Sequence, residues 1–233
     1  SDPSLFVSNP GRTLQVTASY GGCYRGSTEV LVAPGMPAVS VPLQAELGTL
    51  RLSVFDRRTE APVPGVKLHW RPDGQDPFCH PQGVEALSDR GALIQTVGAG
   101  SLAWIVEAPG MGPRVVSTGI EAGRTTKVDL PLWPARTRLA GGRILLSDPI
   151  WFHYESFAIE PDSLEVLEEV AARLLLHPEL GRVQVVGHTD DQGDESFNMA
   201  LSIRRAQAAV DALVACLFGG GIGNMREGNG CGR

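Results

Sequence analysis

The spacing of apolar residues changes once along this chain, and that change limits its fold more than any other feature. From Leu14 to Leu132 hydrophobic side chains fall on alternate positions in short runs cut by Gly and Pro. After Pro161 they recur at three- and four-residue steps. A period of two belongs to a strand with one buried face, and a period near 3.6 belongs to a helix. The expected fold class is multidomain, an all-β sandwich followed by an α/β unit. Leu50, Leu52 and Val54 face one side of a strand while Arg51, Ser53 and Phe55 face the other. Val66, Leu68 and Trp70 repeat the alternation after the turn-prone Pro62 to Gly65, so the two runs read as a hairpin. Further strands are expected over Leu93–Val97, Leu102–Val106, Val115–Ile120 and Thr126–Leu132.

A weak repeat lays Leu14 on Leu102 and Val39–Leu43 on Val128–Leu132, which suggests tandem β modules. Residues 1–46 then form the C-terminal part of one module and 47–132 a whole one; a single sandwich over 1–132 is the competing division. The stretch Gly48 to Asp56, with Thr59, Pro64-Gly65-Val66, Ser88 to Gly91 and Ala108-Pro109-Gly110, resembles the transthyretin-like, carboxypeptidase-regulatory-like modules. That resemblance implies a spacer or adhesive role. Arg71 to Gln82 interrupts the pattern with Cys79 and His80 and reads as a surface loop rather than a metal site. Residues 133–143, with prolines, arginines and a Gly pair, read as a linker to a second domain over 144–233.

A net charge of −6 and a pI near 5.4 argue against nucleic acid as partner, since a phosphate track needs surplus Lys and Arg. No apolar run approaches the roughly 20 residues of a membrane helix. The sequence opens on Ser1 without a signal-like segment, so any export signal is expected to have been removed or to lie outside it. Four cysteines without a CxxC pair make a zinc or thioredoxin-like site improbable, and neither a metal nor any other cofactor is expected. Cys23 with Cys79 and Cys216 with Cys231 is one of three pairings; four ordinary thiols are the alternative.

In the second domain Ile144 to His153 reads as a strand. Pro161 opens a helix whose Leu164, Leu167, Val170, Ala171 and Leu174 bury one face. Val183, Val185 and Gly187 form a second strand, and a second helix begins at or is capped by Asn198, with Ile203, Ala206, Val210 and Leu213 inward. The order is βαβα. Asn198 and Arg205 lie about two turns apart on one helical face.

Gly187-His188-Thr189-Asp190, Gly193, Asn198, Leu201-Ser202 and Arg205-Ala206, then Val210 and Leu213, follow the order and spacing of the OmpA-like C-terminal family. Ile150, Phe152 and Ser156 match its first strand and turn. The resemblance covers 144 to about 214 and implies noncovalent binding of peptidoglycan, with Asp190 and Arg205 on diaminopimelate. The chemistry suits that ligand: its zwitterionic end asks for one carboxylate and one guanidinium, and Asn198 and Thr189 add neutral donors and acceptors. An ordinary salt bridge is the bland account of Asp190 and Arg205. His188 reads as structural, and Asp190, Asp191, Asp194 and Glu195 as a solvated acidic rim lacking EF-hand spacing. The Gly-rich 219–233 departs from the family, leaving the last strand in question.

The expected role is that of an envelope anchor in the periplasm or at the outer membrane of a Gram-negative bacterium, joined to the outer membrane through parts beyond this sequence. It is not expected to be an enzyme. A cell-wall or glycan hydrolase with β accessory modules would need a catalytic constellation, and HExxH and GxSxG are both missing. An adhesion or scaffold protein without peptidoglycan binding is the remaining alternative.

Overall fold

The computed structural model describes residues 11–20, 22–33, 35, 38–70, 79, 81–187 and 194–218. Strands β1 (Thr13–Tyr20), β2 (Tyr24–Leu31) and β3 (Gln44–Ala45) make a small antiparallel sheet. Its alternating faces bury little, and the Cys23–Cys79 disulfide ties it to the body that follows. Cys216 is also disulfide-bonded. Cys79 is thereby excluded as a metal ligand, while His80 lies outside the described residues.

The sandwich comes next. Strand β4 (Leu47–Asp56) lies between β7 (Ala92–Gly98), antiparallel, and β10 (Thr125–Leu132), parallel. The facing sheet runs β6 (Val84–Ala86), β5 (Lys67–Trp70), β8 (Gly100–Glu107), β9 (Arg114–Ile120). Leu50, Leu52 and Val54 of β4 meet Leu68, Leu102, Trp104 and Val106 in a core that excludes water. The period-two reading holds along β4, β5 and β10, whereas β8 and β9 bury residues on both faces, Ile105 and Val115 among them. The proposed hairpin does not hold: β4 and β5 sit in different sheets. The turn between them closes on Asp56 N–H to the Ala61 carbonyl, and the chain then crosses to the second sheet. Alternation fixes which face a residue takes, not which strand pairs with which.

Residues 133–143, expected as a linker, are structured. Strand β11 (Thr137–Ala140) turns through Gly141 and Gly142, both at positive φ, into β12 (Arg143–Leu146). The guanidinium carbons of Arg57 and Arg114 both lie over the Trp133 ring, 4.6 and 4.8 Å from its centre. The expected strand from Ile144 to His153 is accordingly shorter: it is Arg143–Leu146, followed by a single bridge between Phe152 and Ile159.

Helix α1 (Pro161–Leu176) begins with Pro in its first turn, where the missing N–H costs nothing. One face, with Leu167, Val170 and Ala171, meets Ala209, Leu213 and Cys216 of α2 (Glu195–Phe218). A second face is buried too, against the sandwich: Ala172, Leu175 and Leu176 pack on Ile105 and Val115. On that face Glu169 accepts from the N–H groups of Arg136 and Thr137, at 3.0 and 2.9 Å, from the Thr137 hydroxyl and from Arg173. Glu168 meets Arg114 at 3.3 Å, both nearly water-free. Burial pushes the Arg114 guanidinium below its ordinary pKa, and the Glu168 and Glu165 carboxylates pull it back up.

Candidate functional site

Three pieces of backbone meet at the third turn of α2. The first is the turn from Phe152 to Ile159, closed by His153 N–H to the Ala158 carbonyl at 3.0 Å and Ser156 N–H to the His153 carbonyl at 3.1 Å. The second is the extended stretch from Arg182 to Gly187, which follows a short 3-10 turn at Pro178–Leu180 and forms no strand ladder among the described residues. The third is α2 itself. Its start is set by Asp194, whose Oδ1 accepts the Phe197 N–H at 2.8 Å as an N-cap acceptor. The helix therefore begins before Asn198, which sits inside its first turn rather than capping it.

Asp194 is exposed and also serves as the helix cap. The Ser196 hydroxyl and then the Phe197 N–H hold its carboxyl below the usual carboxylate range. An Asp followed three residues later by Phe lacks the Glu or Gln of a capping box, so the spacing carried no strong start signal.

Arg205 is half-buried. Its Nε donates to the Ser156 carbonyl at 3.0 Å, and its guanidinium carbon lies 5.1 Å from the centre of the Phe152 ring. Among the described residues no carboxylate oxygen comes within 4.0 Å of it. Asn198 lies two turns earlier and is partly buried. Of the expected inward residues of α2, Leu213 is buried, but Ile203 is 62% exposed; the inward stripe runs instead through Ser202, Ala209, Leu213 and Cys216.

Gly187 fixes the approach of the extended stretch. A Cβ there would stand 2.5 Å from the Ser202 carbonyl oxygen and 3.3 Å from the Ala206 Cβ, so only glycine allows this contact with the turn that carries Arg205. Thr189 and Asp190, with His188 and Asp191, lie outside the described residues. The structure therefore brings Arg205 and Asn198 onto one helix face and leads the chain up to that face at Gly187. Beside them an apolar groove of about 810 Å³ runs between β12, α1 and the extended stretch, with Phe152, Gly187 and Arg205 on its wall. Sequence reasoning passed over Ser156 as an Arg205 partner, because a backbone carbonyl leaves no side-chain signature. No cluster of metal-ligating side chains occurs among the described residues, and no described helix is long and apolar enough to cross a membrane.

The profile of the OmpA family matches residues 151–219, which contain every residue discussed above as site or support. The peptidoglycan-associated lipoprotein of Rhizobium meliloti (strain 1021) is 30% identical over 132 residues, covering 52% of this chain and 74% of that protein. Outer membrane protein A of Escherichia fergusonii is 32% identical over 101 residues, covering 43% of this chain and 42% of that protein. The chain thus spans most of the lipoprotein and less than half of outer membrane protein A. By shape it shares a TM-score of 0.33 and 13% identity with the Bacillus anthracis TIE protein, over 52% of this chain and 24% of that one, a likeness too slight to build on. On the match to the lipoprotein, together with the profile over its helical C-terminal part, the chain belongs to the OmpA family.

Proposed function

We propose that this chain holds an envelope protein to peptidoglycan by noncovalent binding, and that Arg205 and Asp190 grip the zwitterionic end of diaminopimelate with help from Asn198 and Thr189. The observation that carries the reading is the way Arg205 is held. Among the described residues a single N–H, on Nε, is fixed by the Ser156 carbonyl, and the guanidinium carbon lies over the ring of Phe152. A guanidinium anchored through Nε can present its two Nη groups as a fork to a ligand carboxylate. Asp190 follows Gly187 by three residues, a chain length of at most about 11 Å, so its carboxylate is within reach of the ammonium of a ligand seated on Arg205.

The compartment is the periplasm or outer membrane of a Gram-negative bacterium, as for the OmpA-family relatives, and the Cys23–Cys79 disulfide suits that oxidising space. The role is mechanical, with no bond made or broken, and the β region serves as a spacer or adhesive module. The test is retention on purified, diaminopimelate-containing sacculi, with and without free diaminopimelate. Retention that free diaminopimelate abolishes, without release of soluble fragments, is the expected outcome. Released fragments would make the chain a hydrolase, and no retention would leave a scaffold.

A further inference from the structure

We infer that the turn from Trp151 to Phe157 forms a second part of the binding surface, one that takes the apolar face of the sugar carrying the peptide stem. This inference rests on the peptidoglycan reading of Arg205. Three rings stand out from this turn: Trp151 is 57% exposed, Tyr154 89% and Phe157 50%. Large exposed apolar groups gathered within one turn mark a site of contact more often than single scattered ones do.

The backbone beneath the rings is fixed. His153 N–H reaches the Ala158 carbonyl, Ser156 N–H the His153 carbonyl, and Ala158 N–H the Ser156 hydroxyl at 3.0 Å. The Ser156 carbonyl in turn accepts from Arg205. Glu155 adopts a φ of +47°, a conformation that residues other than glycine rarely take, so the neighbouring bonds hold this turn in one unusual shape. Rings on such a frame lose little freedom when they are covered, which favours binding.

The place of the rings selects the occupant. Tyr154 and Phe157 lie two and one residues from Ser156, whose carbonyl touches Arg205, so their backbones are within about 7 Å of that contact along the chain. In a peptide stem the diaminopimelyl residue is separated from the sugar by two residues, a span of the same order. A pyranose ring offers C–H groups on its faces and polar groups at its edge, which suits an aromatic ring that is apolar on its face and wet at its rim. The neutral sugar also needs no charged partner, and the rings supply none.

The experiment is calorimetric titration of the whole chain with two soluble ligands, a diaminopimelate-containing stem peptide and the same peptide bearing its N-acetylated disaccharide. The wild-type chain should bind the disaccharide form about fivefold or more tightly than the bare peptide. In the Y154A/F157A double variant the ratio of the two affinities should fall to near one, while Tyr154→Phe, which keeps a ring, should retain it. Circular dichroism of the double variant checks the fold, which the turn's backbone bonds maintain. Equal affinities in wild type would overturn the inference, as would a double variant that weakens both ligands alike. If the bare peptide fails to bind but the disaccharide form binds through the rings, the diaminopimelate assignment falls and the sugar surface stands. If neither ligand binds, both fall. Vesicles of phosphatidylethanolamine and phosphatidylglycerol form the last arm: ring-dependent retention on them would assign the turn to a membrane instead.

Discussion

Replacing Glu169 with alanine strikes the junction between the sandwich and the helical unit. The Glu169 carboxylate takes the N–H groups of Arg136 and Thr137, the Thr137 hydroxyl and the Arg173 guanidinium, and its side chain is only 7% exposed. Alanine leaves those donors facing a hole. A stranded buried donor costs about 1–3 kcal/mol, and breaking a buried ion pair from one side costs about 3–5 kcal/mol. Arg173 keeps the Thr137 carbonyl and hydroxyl as partners, and Arg136 is partly open to water, so the lower end applies. The expected loss is about 3 kcal/mol, read as a fall in the urea midpoint at unchanged m-value. Glu169→Gln keeps the volume but turns an amide N–H toward a donor, and it should fall between wild type and alanine. Wild type should unfold in one transition, since α1 is buried between α2 and the sandwich, and the alanine variant should begin to separate into two. A loss under about 1 kcal/mol, or two well-separated transitions in wild type, would refute this account of the junction.

Trypsin should spare Arg136, whose guanidinium is bound to Asp148 and the Asp162 carbonyl; early cleavage there would restore a linker. Gly187→Ala should destabilise the helical unit by about 1–3 kcal/mol, because the added methyl meets the Ser202 carbonyl; a neutral result in thermal unfolding would show that the stretch can retreat. Since the Asp194 carboxyl is held below its usual pKa of 3.8, its contribution is complete above that value and is lost as pH falls through the lower, folded one. Helicity followed by circular dichroism should therefore be less acid-sensitive in Asp194→Ala than in wild type.

Alternation was enough to place Leu50, Leu52 and Val54 in the core, because burial of one face is a local property of a strand. It could not reveal that β4 pairs in parallel with β10, a contact set by the whole sheet. The second buried face of α1 was hidden for a different reason. Its central residues are Glu168 and Glu169, which read as solvent-facing until Arg114, Thr137 and Arg173 are seen to neutralise and bond them. Residues 133–143 misled in the same way, since prolines, arginines and glycines there build a turn and a cation–aromatic stack. For the site, the spacing of Asn198 and Arg205 was legible because a helix repeats regularly. The carbonyl that orients Arg205 was not, since it belongs to a turn 49 residues away.

The most direct test of the central claim is a double-mutant cycle on sacculus retention with Asp190→Ala, Arg205→Ala and the pair combined, each checked for fold by circular dichroism. A charge-assisted contact contributes about 1.5–3 kcal/mol, so each single substitution should weaken retention about tenfold or more. Arg205→Lys, which keeps charge but loses the planar fork, should fall between wild type and Arg205→Ala. If one zwitterion is held by both groups, the combined loss should be smaller than the two single losses added together, because the first substitution already frees the ligand's orientation. Unchanged retention in a folded double variant would contradict the account and leave Asp190 and Arg205 with a structural role alone.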